Sequence, residues 1–261
     1  MHLPENIERL VAGKAYAENA IGLSDARVLV FDDCVLKIGK CRPKDAETVA
    51  VMRWLEGRLP APRVIGREVE DGVQYLLMTR VGGRMACDPY WLERPRELTA
   101  LLARAIKALW AVDASDCPRR HDLGAELAEA RRRVERGLVE IDRAEPETFG
   151  PGGFESPAAL LAWLEAHRPE CDPAFTHGDF CLPNIFLEDG RVCGFIDLDT
   201  AGVSDRWRDV ALCLRSLEHN LNGKYSGRVY GGFDPALLFD QLGVAPDWEK
   251  IRYYTLLDEL F

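Results

Sequence analysis

Hydrophobic residues along the chain follow two periodicities, and the change from one to the other divides it. Alternating runs dominate the first 79 residues. Val28 and Val30, then Val35 and Ile38, flank Asp32-Asp33 and predict a β-hairpin. Arg63–Val69 and Val73–Thr79 flank Glu70-Asp71-Gly72, which predicts a second. Two helical stretches interrupt the strands. Residues 4–12 place Pro4 in a first turn and Ile7, Leu10 and Val11 at helical spacing. Asp45–Gly57 sets Val49, Met52 and Leu55 at the same period, and Gly57 and Pro60 end it.

Arg80-Val81-Gly82-Gly83 breaks the pattern, and the helical period prevails afterwards. Helices are expected over Leu98–Val112, Asp122–Leu138, Ser156–His167, 235–242 and 247–257. Another carries Trp207, Val210, Leu214 and Leu217, with Ser204 as its expected N-cap. Arg131-Arg132-Arg133 reads as a solvated face, and residues 139–156, rich in Pro and Gly, as a surface loop. A β island remains: Phe175–Thr176, then Asn184–Leu187 and Arg191–Ile196 around Glu188-Asp189-Gly190. The expected class is α+β in two lobes, residues 1–79 and 85–261, with 80–84 as the connection.

Composition narrows the function. At 261 residues, 47% hydrophobic and 29% charged, the chain has ordinary globular make-up. It has no long apolar run to span a membrane, and its N-terminus lacks a signal peptide's apolar core, so a cytoplasmic protein is expected. The eight cysteines form no C-x-x-C pair and read as reduced thiols. Cys181 lies in the most interesting loop, yet reads as packing and not as a nucleophile. A net charge of −10 argues against a nucleic-acid partner and suits a cationic ligand.

The β island carries the chemistry. His177-Gly178-Asp179 is followed by Asn184 and, after a hairpin, by Asp197. Phosphoryl-transfer enzymes of the kinase type use H-R-D-x-x-x-x-N and a later metal-binding Asp. Asp179 and Asn184 have that spacing, with Gly178 in the Arg position. Asp and Asn oxygens suit Mg²⁺. A carboxylate that takes the proton of an attacking hydroxyl contributes about 10²–10⁴ in rate. Lys37, on an early strand, completes the set as the phosphate-holding cation, and Gly22-Leu23-Ser24 can lie over phosphates. Glu47 falls in the first turn of a helix, where a salt bridge to Lys37 is one outcome and a favourable dipole contact the other.

HGDFCLPNIFLEDGRVCGFIDLD, SDRWRDVALCLRS and the terminal DWEKIRYYTLLDELF resemble the aminoglycoside 3′-phosphotransferases, as do WLEGRLPAPRVI and SDCPRR. The resemblance runs from about residue 20 to the end. It implies a two-lobed protein-kinase-like fold and ATP- and Mg²⁺-dependent phosphorylation of an aminoglycoside 3′-hydroxyl, with resistance to kanamycin- and neomycin-type drugs. ATP and GTP both remain open as donors, and a monomer or weak dimer is expected. Position by position, it implies Asp179 as the catalytic carboxylate and Asn184 and Asp197 as metal ligands. Lys37, Ser24 and the backbone around Thr79–Val81 would hold the nucleotide. Asp209 would brace the catalytic loop, with His177 structural. Glu145, Glu147, Arg215, Asp258, Glu259 and the Phe261 carboxylate would meet the cationic substrate. The chain departs from the pattern at Thr48, where the Lys-pairing Glu usually stands, leaving Glu47 one residue early. It departs again at Val35, in place of an adenine-stacking aromatic, and at Asp199-Thr200, in place of Gly-Arg.

Three rival readings stay on the table. Phe195–Thr200 also fits the opening motif of haloacid-dehalogenase-type phosphatases, but those need a lysine and further aspartates on a sheet well downstream. The same fold with another small alcohol or amino sugar as substrate is a second. A nucleotide-binding pseudokinase module, supported only by the displaced Glu47, is a third.

Overall fold

The computed structural model describes residues 3–19 and 26–261. Five antiparallel strands come first: β1 (Ala17–Asn19), β2 (Arg27–Val30), β3 (Cys34–Lys40), β4 (Val64–Glu70) and β5 (Val73–Thr79), in the order β1-β2-β3-β5-β4. Both expected hairpins are present. Asp71 and Gly72 join β4 to β5 at φ 50° and 76°, the left-handed pair that a tight hairpin turn requires. β1 was not expected, because three residues carry too little alternation to register.

Helix α1 (Glu5–Val11) lies on this sheet and closes a small core of Leu3, Ile7, Val11, Leu29, Phe31, Leu36 and Leu77. Helix α2 (Asp45–Trp54) buries Val49, Val51 and Met52 in the other, larger core, together with residues of the helical half. Its Trp54 indole donates to Asp116 (2.8 Å). α2 is therefore fastened to both halves of the molecule.

β6 (Arg84–Met85) leaves the first sheet and pairs with β8 (Ile185–Glu188), which pairs with β9 (Arg191–Phe195). Helices α3 (Pro89–Leu92), α4 (Pro95–Trp110), α5 (Leu123–Glu135), α6 (Pro146–Phe149), α7 (Pro157–Ala166), α8 (Trp207–Leu221), α9 (Pro235–Leu242) and α10 (Trp248–Asp258) make up the rest. Their amphipathic faces pack around α4 and α8. β7 (Pro173–Thr176) pairs with β10 (Gly202–Asp205). Among the described residues no helix is long and apolar enough to cross a membrane.

Three local expectations change. Ser204 is not an N-cap: it sits in β10 opposite Ala174, and the carboxylate of Asp205 accepts from Trp207 N (3.0 Å) at the start of α8. Residues 139–156 are not featureless, since they contain a 3₁₀ turn at Ile141–Arg143 and α6. The arginine run is more than a solvated face. Arg131 pairs with Glu165, and Arg133 donates from Nε to Leu260 O (2.8 Å) and from Nη2 to Phe261 O (2.6 Å).

Candidate active site

The turn His177-Gly178-Asp179 follows β7 and is held from several sides. Asp209, in the first turn of α8, accepts from His177 N (2.7 Å) and Gly178 N (2.9 Å). Its neighbour Arg208 donates to Gly178 O (3.1 Å). Asp209 is fully buried, and burial pushes its carboxyl above the usual range against the pull of His177 and the two N–H groups. Gly178 has φ 82°, and a Cβ there would lie 2.3 Å from Thr200 O. The arginine of the general kinase pattern has no room at this position. The buried His177 has one consistent tautomer: Nδ1 accepts from Asp179 N (3.3 Å), so Nε2 donates to Ile196 O (2.8 Å). It orients the loop and cannot reach a substrate.

These contacts present Asp179 to solvent at the end of the turn. Asn184, buried at the end of a 3₁₀ turn (Leu182–Asn184), donates from Nδ2 to Asp179 Oδ2 (2.9 Å) and Asp179 O (3.0 Å). Ile196 N donates to Asn184 O (2.9 Å), which brings the Asp197 backbone beside it. Asp197 itself stands at φ 57°, a left-handed conformation that costs a non-glycine residue on the order of 1–3 kcal/mol. The structure thus sets the Asn184 amide against Asp179 and brings the backbone that leads into Asp197 beside Asn184.

The cluster fits a magnesium ion by its donor chemistry. Asn184 Nδ2 is committed to acceptors, so its oxygen is the free end of the amide. Asp197 spends one oxygen, Oδ1, on Lys37 Nζ (3.0 Å). Hard oxygens from one amide and one carboxylate match an ion that completes its shell with water and phosphate oxygens. Among the described residues no group of three His, Cys, Asp or Glu forms a closed metal cage.

Lys37, on β3 opposite Leu76, reaches this cluster from the first sheet. Its Nζ lies 3.0 Å from Asp197 and 3.6 Å from Asp199. Burial opposes its charge, but the two carboxylates outweigh it and raise its pKa. The structure does not bring Glu47 to Lys37. Glu47 is 66% exposed and pairs with Arg119 (3.5 Å), and Thr48 accepts from Arg119 Nη2 (2.9 Å). Thr79 ends β5, and Arg63 N donates to its hydroxyl (2.9 Å). Val81 follows β5 in the segment that leads to β6 and makes no backbone–backbone hydrogen bond to the described residues. Val35 faces Met78 across β3 and β5, so this wall is aliphatic. Ser24 lies outside the described residues.

A cavity of about 720 Å³ opens beside α8, a size suited to a small-molecule ligand. Glu145, Glu147, Arg215, Glu218, His219, Lys224 and Trp248 line part of it. Arg215 joins Asp258 and Glu259 (3.1 Å to the latter). Glu259 also accepts from Glu145 N (3.0 Å), tying the 145–147 segment to the end of α10. Glu145 pairs with Lys224 (2.5 Å), and the His219 imidazole, whose pKa burial lowers, lies 3.4 Å from it. Asp258, Glu259 and Phe261 are not among the residues that line the cavity, and Phe261 O accepts from Arg133 Nη2 (2.6 Å).

A model of the phosphotransferase enzyme family matches residues 16–254. The aminoglycoside 3′-phosphotransferase of Enterococcus faecalis is 35% identical, over 100% of this chain and 99% of the relative. The chain belongs to the aminoglycoside 3′-phosphotransferase family. A crystal structure of a type VIII aminoglycoside-3′-phosphotransferase superimposes with a TM-score of 0.79 at 28% identity, covering 98% of this chain and 97% of that one. The streptomycin 3″-kinase of Streptomyces griseus is 34% identical over 92% of this chain and 89% of its own length.

The sequence pattern singles out Asp179, Asn184, Asp197 and Lys37 but not the groups packed around them. Arg42, Arg119, Asp199, Lys224 and His219 were unassigned. Asp199 was legible only as a departure from a pattern, and Arg119 only as part of SDCPRR. Neither spacing nor periodicity signals a contact between residues so far apart in the chain.

Proposed function

We propose that this enzyme transfers the γ-phosphoryl group of ATP to the 3′-hydroxyl of kanamycin- and neomycin-type aminoglycosides and so confers resistance. The supporting observation is the Asp179–Asn184–Asp197 cluster joined to Lys37 of the sheet. Residues 1–79 bind the nucleotide, 80–84 form the hinge and 85–261 carry the chemistry. The Val81 backbone takes the adenine edge, beside Thr79. Lys37 binds the α- and β-phosphates, and Asn184 and Asp197 hold Mg²⁺. The metal supplies charge neutralisation on the phosphate oxygens. Asp179 aligns the attacking hydroxyl and takes its proton, while the Asn184 amide fixes the carboxylate's rotamer. The acidic groups of the cavity, Glu145 and Glu147 with Asp258 and Glu259 behind them, receive the substrate's ammonium groups. GTP is the alternative donor, and cytoplasmic location follows from the need for nucleotide.

A second reading is phosphorylation of a different aminoglycoside hydroxyl, favoured by the likeness to a streptomycin 3″-kinase. Incubation with ATP, Mg²⁺ and kanamycin, followed by NMR of the product, separates the two. Phosphorus coupled to C3′ is the expected result, and any other carbon overturns the regiochemistry. Asp179→Ala is expected to abolish turnover and leave nucleotide affinity within about threefold; full activity in it would sink the mechanism.

A further inference from the structure

Kinase-like sites hold the phosphate-binding lysine with a glutamate from the helix that follows its strand. Here α2 offers no such group. Asp45 is buried against Arg42 (3.2 Å), Glu47 turns outward to Arg119, and Thr48 is engaged by Arg119 as well. Lys37 is nevertheless flanked by two carboxylates, both from the segment after β9.

We infer that Asp199 is the positioning residue for Lys37, in place of the missing helix glutamate. This rests on the nucleotide-binding role proposed above. Four groups alternate in charge through contacts of 2.7 Å from Arg42 to Asp199, 3.6 Å from Asp199 to Lys37 and 3.0 Å from Lys37 to Asp197. Asp197 and Asp199 have different fates in this string. Asp197 is exposed and next to Asn184, so its charge is drawn toward a bound metal. Asp199 is only 24% exposed and is fixed on its far side by Arg42. When Asp197 serves the metal, Asp199 is the carboxylate that keeps the Lys37 ammonium in the cleft.

The Asp199 backbone is held as firmly as its side chain. Arg119, 7% exposed, donates from Nη1 to Asp199 O (3.0 Å) and Ala201 O (3.1 Å) and from Nη2 to Lys44 O (3.3 Å) and Thr48 Oγ1 (2.9 Å). One guanidinium thus joins the first turn of α2 to the segment that supplies Asp199. The contact that a Lys–Glu pair makes between strand and helix is made here between strand and loop, with the loop tied to the helix.

Affinity for Mg²⁺ and a non-hydrolysable ATP analogue, measured by titration calorimetry, tests the assignment. Wild type is expected to bind, and Lys37→Met to bind at least about tenfold more weakly. Asp199→Asn is expected to lose about tenfold as well, with the KM for kanamycin unchanged and Asp199→Glu recovering part of the loss. In the double variant, Asp199→Asn adds less than about twofold to Lys37→Met. Arg42→Gln, at an exposed position, is expected to lose about threefold and serves if Asp199→Asn does not fold. An Asp199→Asn protein that binds as wild type does, or losses that multiply in the double variant, overturn the inference. So does a foldless Asp199→Asn accompanied by unchanged affinity in Arg42→Gln. Absence of binding by wild type, or no loss in Lys37→Met, would instead reject the nucleotide-site reading itself.

Discussion

Gly178→Ala is the sharpest probe of how the turn that presents Asp179 is built. The substitution adds one methyl group at φ 82°, 2.3 Å from Thr200 O and 2.9 Å from Thr200 Cβ. A left-handed conformation costs an alanine about 1–2 kcal/mol. Overpacking in a site that cannot relax adds about 1–3 kcal/mol. Thr200 O is fixed by His121 Nε2 (2.9 Å), and Gly178 by Asp209 and Arg208, so neither side can give way cheaply. The expected loss is the sum, about 2–5 kcal/mol. Gly57→Ala is the control: its φ is 77°, with nothing within 4 Å of an added Cβ. It carries the backbone cost and the gain from a less flexible unfolded chain, without the clash. Urea denaturation followed by tryptophan fluorescence should place Gly178→Ala lower than Gly57→Ala by about 1–3 kcal/mol. Turnover should fall only in Gly178→Ala, because relief of the clash moves Asp179. Equal destabilisation in the two variants, with full turnover in both, would refute the close-approach reasoning.

Asp209→Ala removes the acceptor for two buried N–H groups and should cost about 2–6 kcal/mol, at 1–3 each, in the same urea assay. A loss under about 1 kcal/mol would show that another acceptor, such as trapped water, takes over. Burial, set against the Glu126 charge, keeps His121 below its ordinary pKa. Its stabilising contribution is therefore present above the unfolded value of about 6.5 and is lost as pH falls below it, at no more than ~1.4 kcal/mol per pH unit. Urea midpoints between about pH 7.5 and pH 5 should fall more steeply in wild type than in His121→Gln; identical slopes would count against this. Lys224→Ala frees Glu145 for a substrate amine and should lower the aminoglycoside KM by about two- to fivefold, since such a pair is worth up to about 1 kcal/mol. A raised KM would assign Lys224 to substrate binding instead.

The elements that the sequence predicts best are those with a strong period or a strong turn. The β4–β5 hairpin is legible because Asp71-Gly72 has one good conformation, and α4 because its apolar stripe is wide. The Asp179–Asn184 spacing is legible because the two residues lie five apart in one short loop, close enough for the Asn184 amide to reach back to Asp179. Ser204 misleads because its local chemistry suits a helix cap, while pairing of β10 with β7 uses the residue in a strand. Glu47 misleads for a related reason. A first-turn glutamate can face either way, and its direction is set by Arg119, more than seventy residues later. The acidic cavity is half legible: Glu145 and Glu147 are in it, but Lys224 and Arg215 already engage several of the carboxylates.

The Arg119 guanidinium has a consequence for how the protein breathes. Its acceptors are Lys44 and Thr48 at the start of α2 and Asp199 and Ala201 in the segment after Asp197. Neither region can open without releasing the same buried cation. Native-state hydrogen exchange should therefore report the first turn of α2 and the 199–203 backbone as one cooperative unit, with matching opening free energies. Although separated by a whole sheet hairpin and several helices in sequence, they would exchange together, and the helix that follows β3 and the loop that carries Asp199 would come loose in a single event.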